Sequence, residues 1–208
     1  MAGPADVSPL TLNRLSIYLR SLRRLLDEGV TRVSSQELAQ RYHLSAAQIR
    51  KDLTQFGEFG IRGVGYDARH LAERLSALLG LERRHAVMVV GMGNLGCALT
   101  RYQGFNHGAF EVVAGVDADP AKLGRRVGAI TIRPAAELGR LVRELEVEIG
   151  VLTVPAEAAP ANFAALVDAG VEAVLNFAPV RLEASDRVRL KNVDLRIHLE
   201  ELAYFLRH

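Results

Sequence analysis

Ala86-Val87-Met88-Val89-Val90-Gly91-Met92-Gly93-Asn94-Leu95-Gly96 is the stretch that decides the fold of this 208-residue chain. Its first five residues are apolar, three of them valines, which is typical of a buried parallel strand. The residues that follow, Cys97 to Tyr102, predict a helix. Gly91, Gly93 and Gly96 therefore form a Gly-x-Gly-x-x-Gly pattern between a strand and a helix, the context that a dinucleotide-binding turn requires.

The three glycines of this turn have separate expected roles. Gly91 permits the tight turn, Gly93 lets a pyrophosphate approach the backbone, and Gly96 lets the helix pack closely on the strand. Free backbone amides at the start of the helix would then face the phosphates. A glycine-rich turn can also serve packing alone, and the motif leaves that alternative open. The predicted cofactor-binding residues of the turn are Gly91, Met92, Gly93, Asn94, Leu95 and Gly96.

A second predicted strand, Phe110 to Asp117, ends in an acid that lies 21 positions after Gly96. This is close to the spacing of the carboxylate that binds the adenosine ribose in dinucleotide sites. Asp119-Pro120 is typical of a helix N-cap followed by proline, which leaves Asp117 free for ribose. An acid here favours NAD over NADP because it would repel a 2′-phosphate, although Arg125-Arg126 could accommodate one. A solvated acid at a strand end is the alternative.

The rest of the second half alternates strands with helices, which predicts a parallel sheet with right-handed crossovers. Strands are expected at residues 129–132, 149–155 and 171–177, and helices after Pro120 and over residues 134–145 and 161–169. Ligands bind at the carboxyl ends of such strands, so Thr153 and Asn176 are candidate groups beside a nicotinamide ring. Both precede prolines that enter loops, and a capping role is the alternative.

Composition indicates a globular protein, since 49% of the residues are hydrophobic. The chain has no run of about 18 apolar residues, so no membrane span is predicted. Residues 1–10 lack the charged segment followed by an apolar segment that is typical of a signal peptide. The single Cys97 excludes an intrachain disulfide framework. We therefore expect a cytoplasmic protein without a membrane partner.

Charge is unevenly distributed along the chain. Residues 10–66 carry nine Lys/Arg and five Asp/Glu, a net charge of +4. Residues 86–208 carry thirteen Lys/Arg and fifteen Asp/Glu, a net charge of −2. The basic N-terminal part suggests a polyanionic partner for that part alone.

Two capping boxes in the N-terminal part predict a helix-turn-helix. Ser34-Ser35-Gln36-Glu37 opens a short helix to about Tyr42, and Ser45-Ala46-Ala47-Gln48 opens a second one to about Phe56. These follow a longer amphipathic helix over residues 9–28. Two short helices with a turn between them form a helix-turn-helix motif.

The second short helix has the polar residues that a major-groove helix needs. Arginine suits bidentate contact with guanine, and glutamine suits adenine. The glycine-rich stretch Gly57 to Tyr66 predicts a β-hairpin, and a basic hairpin after a recognition helix is the wing of a winged helix. An ordinary solvated face on a helix bundle is the alternative. The predicted DNA-binding residues are Ser45, Gln48, Arg50, Lys51 and Arg62.

The last helix, Leu195 to Leu206 after the cap Asp194, has more apolar surface than one outer helix of a nucleotide-binding domain needs. A partner subunit is the natural place to bury the remainder. We predict a winged-helix domain over residues 1–80, a Rossmann-type parallel-sheet domain over 81–190, and a C-terminal helix over 191–208.

Taken together, these motifs resemble the Rex family of redox-sensing transcriptional repressors over roughly residues 9–207. The resemblance rests on motifs in the following order: Val33-Ser34-Ser35-x-Glu37-Leu38, Ile49-Arg50-Lys51-Asp52-Leu53, Phe56-Gly57 through Gly63-x-Gly65-Tyr66, the glycine turn, Leu152-Thr153-Val154-Pro155-Ala156, Leu175-Asn176-Phe177-Ala178-Pro179 and Asn192-Val193-Asp194. It implies a homodimer with swapped C-terminal helices that binds NAD and NADH. It also implies a repressor that binds palindromic operator DNA and is released by NADH.

The resemblance also implies roles for individual residues. Arg50 and Lys51 would contact DNA, Tyr102 would meet the cofactor, and Arg14 and Asp194 would form a switch pair with Tyr102. Some relatives carry phenylalanine after that aspartate, where this chain has Leu195.

Two other functions compete with this interpretation. An NAD-dependent dehydrogenase would need a histidine with a carboxylate to move a proton, and no such pair is evident, so we predict no catalytic residues. A nucleotide-binding module for coenzyme A is the second alternative. No metal site is expected.

Overall fold

The computed structural model describes residues 7–42, 44–57, 59–61, 64–106, 108–184 and 186–206. The chain divides into two compact units, Met1–Arg83 and Arg84–His208. This division lies three residues after the boundary expected between residues 80 and 81.

The described residues of the first unit form four helices and three short strands. Its elements are α1 (Pro9–Asp27), β1 (Arg32–Val33), α2 (Ser35–Tyr42), α3 (Ala46–Thr54), β2 (Gly60–Ile61), β3 (Gly65–Asp67) and α4 (Ala68–Leu78). The strands form an antiparallel sheet in the order β1-β3-β2. The structure therefore contains the expected helix-turn-helix, α2 and α3, followed by the expected hairpin.

The helix starts of the first unit follow the sequence signals in all but one respect. Ser34 and Glu37 exchange both bonds of a capping box, at 2.6 and 3.1 Å. Ser45 caps α3 by accepting a bond from the backbone of Gln48 at 3.3 Å. The second capping box is only half formed, because the Gln48 side chain donates to Asp52 at 2.7 Å instead.

Asp52 is a buried carboxylate that ties α3 to α1. It is 3% exposed, and Arg14 donates to its two oxygens at 2.6 and 2.8 Å. Tyr18 and Gln48 add hydrogen bonds of 2.8 and 2.7 Å. Burial opposes the charge, yet the bonds from Arg14, Tyr18 and Gln48 prevail and hold the pKa of Asp52 below its usual value. The carboxylate therefore stays ionised inside the first unit.

The second unit is an α/β domain. Its strands are β4 (His85–Val90), β5 (Phe110–Asp117), β6 (Arg126–Val127), β7 (Ile130–Pro134), β8 (Ile149–Leu152), β9 (Ala173–Asn176) and β10 (Arg189–Asn192). Its helices are α5 (Asn94–Arg101), α6 (Leu138–Glu144), α7 (Ala159–Ala169) and α8 (Leu195–Phe205). The sheet order is β10-β9-β8-β4-β5-β7-β6, and only the β6–β7 pair is antiparallel.

This strand order is that of the doubly wound dinucleotide-binding fold. Counting the parallel strands in chain order from β4, the sheet runs 6-5-4-1-2-3, which places β4 beside both β5 and β8. The chain winds in one direction from β4 to β7 and in the other from β8 to β10. The carboxyl ends of β4 and β8 therefore meet at the topological switch point, where such folds bind ligands.

Three parts of this unit differ from the sequence expectation. One is the two-residue strand β6, which was not expected and pairs antiparallel with β7. The helix expected after Pro120 is a single 3-10 turn, Pro120–Lys122, and the chain reverses at Gly124, whose φ is +75°. The edge strand β10 was not expected, since its sequence Arg-Leu-Lys-Asn has no apolar run. An edge strand buries little, so its pattern carries a weak signal.

Among the described residues, none of the helices is long and apolar enough to cross a membrane.

We predict that Asp52→Asn destabilises the first unit by about 3 kcal/mol at neutral pH. The substituted amide would point a donor at groups that already donate. We take the lower end of the range for a broken buried pair because Arg14 is 26% exposed and can turn to water. Because the pKa of Asp52 is lowered in the folded chain, its contribution is present above about pH 4 and is lost as pH falls further.

Urea unfolding at pH values from 7 to 3 measures the difference in the free energy of unfolding between the wild type and Asp52→Asn. This difference should shrink below about pH 4. Glu28→Gln is the control, since it removes only exposed ion pairs, those with Arg24 and Arg41. Equal stability of Asp52→Asn and the wild type at pH 7 would contradict the assignment.

Candidate nucleotide-binding and DNA-binding sites

A cavity of about 620 Å³ opens at the carboxyl ends of β4, β5 and β8. It lies at the switch point of the sheet and is bordered by the glycine turn between β4 and α5. Its other described lining residues include Asp117, Asp119, Lys122, Thr153, Val154, Pro155, Asn162, Phe177 and Pro179. The volume is in the range of small-molecule and cofactor sites.

The geometry of the glycine turn matches the three expected roles. Gly91 has a φ of +95°, a backbone conformation that residues other than glycine rarely adopt. A Cβ on Gly96 would collide with the carbonyl oxygen of Gly91, so close packing of α5 requires glycine there. Apart from its two neighbours in the chain, no described residue has an atom within 4 Å of the place where a Cβ of Gly93 would stand. Gly93 is thus open on the side from which a phosphate would approach.

Neighbouring residues hold the turn in place. The Thr153 hydroxyl donates to the Gly91 carbonyl at 2.6 Å, which fastens the end of β8 to the turn. Met92 is 2% exposed and its side chain packs in the core. Its backbone N–H donates to Asp117, and it is not among the described residues that line the cavity, so its contact with a cofactor stays a prediction. Asn94 begins α5, and Leu95 is 40% exposed and lines the cavity.

Asp117 stands where it was expected, but it is not free. It is 8% exposed and accepts hydrogen bonds from the backbone of Met92 at 2.7 Å and of Asp119 at 2.8 Å. Lys122 Nζ lies 3.0 Å from its Oδ2. Burial would raise the pKa of Asp117, but these three bonds lower it below its usual value. The expectation that the cap Asp119 leaves Asp117 free is therefore corrected, because the capping turn itself bonds to Asp117.

Three polar residues that line the cavity were not predicted as site residues: Asp119, Lys122 and Asn162. Lys122 is 29% exposed, and its ammonium pairs with Asp117. The spacing Asp117-x-Asp119-Pro120-x-Lys122 contained a signal, since a turn that begins at Pro120 brings Lys122 back toward the strand end. Asn162 Nδ2 donates to the Ala158 carbonyl at 2.8 Å at the start of α7.

Asn176 lies beneath the cavity instead of lining it. It is 1% exposed, and its amide donates to the Val180 carbonyl at 2.8 Å and to Asn192 Oδ1 at 2.9 Å. Its carbonyl oxygen accepts from the backbone of Ala178 at 2.9 Å. All these bonds shape the loop after β9, which is the capping alternative weighed for this residue.

Tyr102 lies outside the cavity within the single chain. α5 ends at Arg101, and Tyr102 leaves the helix with a ψ of 121°. Its side chain is 59% exposed, and its ring stands edge-on to Phe105 with ring centres 5.9 Å apart. A contact of Tyr102 with a nucleotide in this cavity stays a prediction.

The surface of α3 differs from the expectation in how its side chains are used. Gln48 donates one N–H to Asp52 and Ser45 caps the helix, so both side chains have partners within the chain, and their contact with DNA stays a prediction. Arg50 is exposed and donates to Ser35 Oγ at 2.9 Å with one of its amino groups. Lys51 is exposed, and among the described residues its side chain makes no hydrogen bond or ion pair. Arg62 lies outside the described residues.

The predicted switch residues each have a defined local role. Arg14 uses Nε and Nη2 on Asp52, and Nη2 also donates to Thr11 at 3.2 Å. Asp194 caps α8 by accepting from the backbone of Arg196 at 2.9 Å. The predicted pairing of Arg14 with Asp194 stays a prediction.

Comparison with known proteins agrees with both units. A family model described as "Putative DNA-binding protein N-terminus" matches residues 6–54, and a "CoA binding domain" model matches residues 82–180. Two solved structures superpose on nearly the whole chain. "RSP in complex with beta-NAD+ and operator DNA" has a TM-score of 0.91 and 34% identity, covering 96% of this chain and 92% of that one. "RSP in complex with beta-NADH" has a TM-score of 0.88 and 32% identity, with coverage of 97% and 94%.

Fold and site together define a protein with a winged-helix unit and a doubly wound nucleotide-binding unit. The redox-sensing transcriptional repressor Rex of Chloroflexus aurantiacus is 42% identical over 203 residues, which cover 97% of this chain and 96% of the relative. Rex of Carboxydothermus hydrogenoformans is 44% identical over 197 residues, covering 95% of each chain. The chain belongs to the Rex family of redox-sensing transcriptional repressors.

Proposed function

We propose that this protein binds palindromic operator DNA as a homodimer and is released from it by NADH. The observation that carries the proposal is the superposition on RSP bound to NAD+ and operator DNA, at a TM-score of 0.91 over 96% of the chain. It is supported by a cavity at the switch point with an open Gly93 and by the exposed cations of α3. A repressor of this kind acts in the cytoplasm.

The lining of the cavity favours NADH over NAD. Beyond the glycine turn its lining is uncharged, with the apolar Val154, Phe177 and Pro179 beside Thr153 and Asn162, whereas the charged Asp117 and Asp119 lie at the end of β5 and in the turn that follows it. The nicotinamide ring is cationic in NAD and neutral in NADH. A buried cation without a partner is costly, so the apolar end suits the neutral ring.

One other ligand and one other activity compete with this proposal. The match to a CoA binding domain model favours coenzyme A as the second candidate. A dehydrogenase is disfavoured because the relatives are repressors. Titrating the pure protein with NADH, NAD, NADPH and coenzyme A should show tightest binding for NADH.

We predict that Gly93→Ala abolishes most NADH binding without loss of stability. Its Cβ has room in the folded chain but would occupy the approach of the pyrophosphate. Gly96→Ala is the matched variant, and it should lower the melting temperature because its Cβ meets the Gly91 carbonyl. Calorimetric titration and thermal unfolding measure the two effects. A Gly93→Ala variant with wild-type NADH affinity would show that no phosphate passes this point.

We also predict that Arg50→Ala and Lys51→Ala each weaken operator binding while NADH affinity stays unchanged. A base contact should cost about 1–3 kcal/mol and alter sequence preference, whereas a phosphate contact mainly reduces the salt dependence. Arg143→Ala, which removes an exposed cation of α6, is the control. If both α3 variants bind operator like the wild type across salt concentrations, α3 is not the reading helix.

The C-terminal helix supports the homodimer. None of its side chains is buried within the chain. Its large apolar and aromatic residues are 58–87% exposed: Leu195, Ile197, Leu199, Leu202, Tyr204, Phe205 and Leu206 at its end. Such a surface needs a cover, and we assign it to a second copy with which α8 is exchanged.

The switch uses the free side of Arg14. A guanidinium has five N–H donors. Nε and Nη2 are engaged by Asp52 and Thr11, and within the described residues Nη1 makes no bond. Asp194 can thus bind Nη1 without breaking the pair with Asp52. NADH would move Asp194 from Arg14 toward Tyr102, so that the recognition helices no longer match major grooves about 34–36 Å apart.

Reciprocity gives a test of this switch. If NADH weakens operator binding, saturating operator must weaken NADH binding by the same factor. We expect this factor to be large in the wild type and to fall toward one in Asp194→Ala. Glu201→Ala, an acid-to-alanine change on the same helix, should retain the wild-type coupling factor. Sedimentation velocity verifies that both variants keep the oligomeric state of the wild type. Full coupling in Asp194→Ala would remove Asp194 from the mechanism.

A further inference from the structure

Three charged side chains line the end of the cavity beside β5. Asp117 ends the strand, and Asp119 and Lys122 belong to the 3-10 turn that follows it. In a doubly wound fold, the ribose of adenosine lies against the end of this strand. The charged candidates for contact with the ribose are therefore these three residues, of which Asp119 already caps the turn by accepting from the backbone of Ala121 at 2.9 Å.

Asp117 has little capacity left for a ligand. A carboxylate has about four acceptor positions, and three of them are taken by Met92, Asp119 and Lys122. Two of these bonds come from backbone amides on either side of the cavity, one from the glycine turn and one from the turn after β5. Asp117 is thus the group that fixes these two turns relative to each other.

Lys122 retains the donors that a ribose hydroxyl can use. Its Nζ donates to Asp117 at 3.0 Å, whereas the nearest Asp119 oxygen is 3.8 Å away, beyond a hydrogen bond. An ammonium has three N–H groups, so at least one remains for a ligand. The hydrogen bond with Asp117 raises the pKa of Lys122, and its side chain is 29% exposed at the cavity wall.

We propose that Lys122 is the residue that recognises the adenosine ribose, by donating a hydrogen bond to its 2′ oxygen, and that Asp117 positions the ammonium. This inference rests on the proposed function, since it places an adenosine dinucleotide in the cavity. It also changes the basis of cofactor choice. The 2′-phosphate of NADP would meet Lys122 paired with Asp117. The sequence argument against NADP assumed instead that Asp117 is an unpaired acid.

The test compares two nucleotides that differ only at the 2′ position. ADP and 2′-deoxy-ADP compete with bound NADH in a fluorescence titration. In the wild type ADP should compete about tenfold better, the factor expected for one hydrogen bond to a charged donor. In Lys122→Met this ratio should fall to near one, because the donor is gone while the stem remains. Arg125→Met, which removes an exposed cation three residues further on, should keep the wild-type ratio.

Several outcomes would overturn the assignment. A wild-type ratio in Lys122→Met would show that Lys122 does not meet the 2′ oxygen. If, in addition, Asp117→Asn no longer prefers ADP over 2′-deoxy-ADP, the carboxylate is the group that contacts the 2′ oxygen. Melting temperatures verify the fold of each variant, and Lys122→Ala repeats the comparison if the methionine side chain disturbs the turn. Failure of NADH to bind the wild type would instead refute the proposed function, so the two failures are distinguishable.

Discussion

The close approach of α5 to the carbonyl of Gly91 is the constraint on which the nucleotide-binding unit depends. It requires a residue without Cβ at position 96. The Thr153 hydroxyl donates to the same carbonyl, so β4, β8 and α5 meet at one oxygen atom. These contacts involve only the backbone and one short side chain, so the turn needs no ligand to hold its shape, which is the preorganisation that the proposed phosphate contact at Gly93 requires.

In the first unit, a buried carboxylate is the group that holds the helices together. Asp52 joins α3 to α1 through Arg14 and Tyr18, and it also engages Gln48. The consequence for recognition is a division of labour on one helix. Side chains that face Asp52 fix the angle of α3, while Arg50 and Lys51 remain on the exposed side.

Sequence patterns predicted the elements of the fold well and the side-chain partners of the site poorly. The strand at residues 86–90 and the glycine turn carry local signals, since apolar runs and backbone conformations depend on neighbouring residues. The bonds of Asp117 could not be predicted, because they depend on how the turn after Pro120 folds back. The bond of Gln48 to Asp52 could not be predicted either, because Ser45-Ala46-Ala47-Gln48 also fits a capping box, in which Gln48 would bond to the backbone of Ser45.

The two buried carboxylates, Asp117 and Asp52, share one physical logic. Each is nearly excluded from water, and each accepts at least three hydrogen bonds that keep it ionised. In both cases the partner cation keeps an exposed side, Lys122 toward the cavity and Arg14 toward solvent. A cation held by a buried acid has a fixed position and unused donors, so it can bind a further anion or hydroxyl at little cost in side-chain entropy. That property suits Lys122 to a ribose hydroxyl and Arg14 to the carboxylate of Asp194.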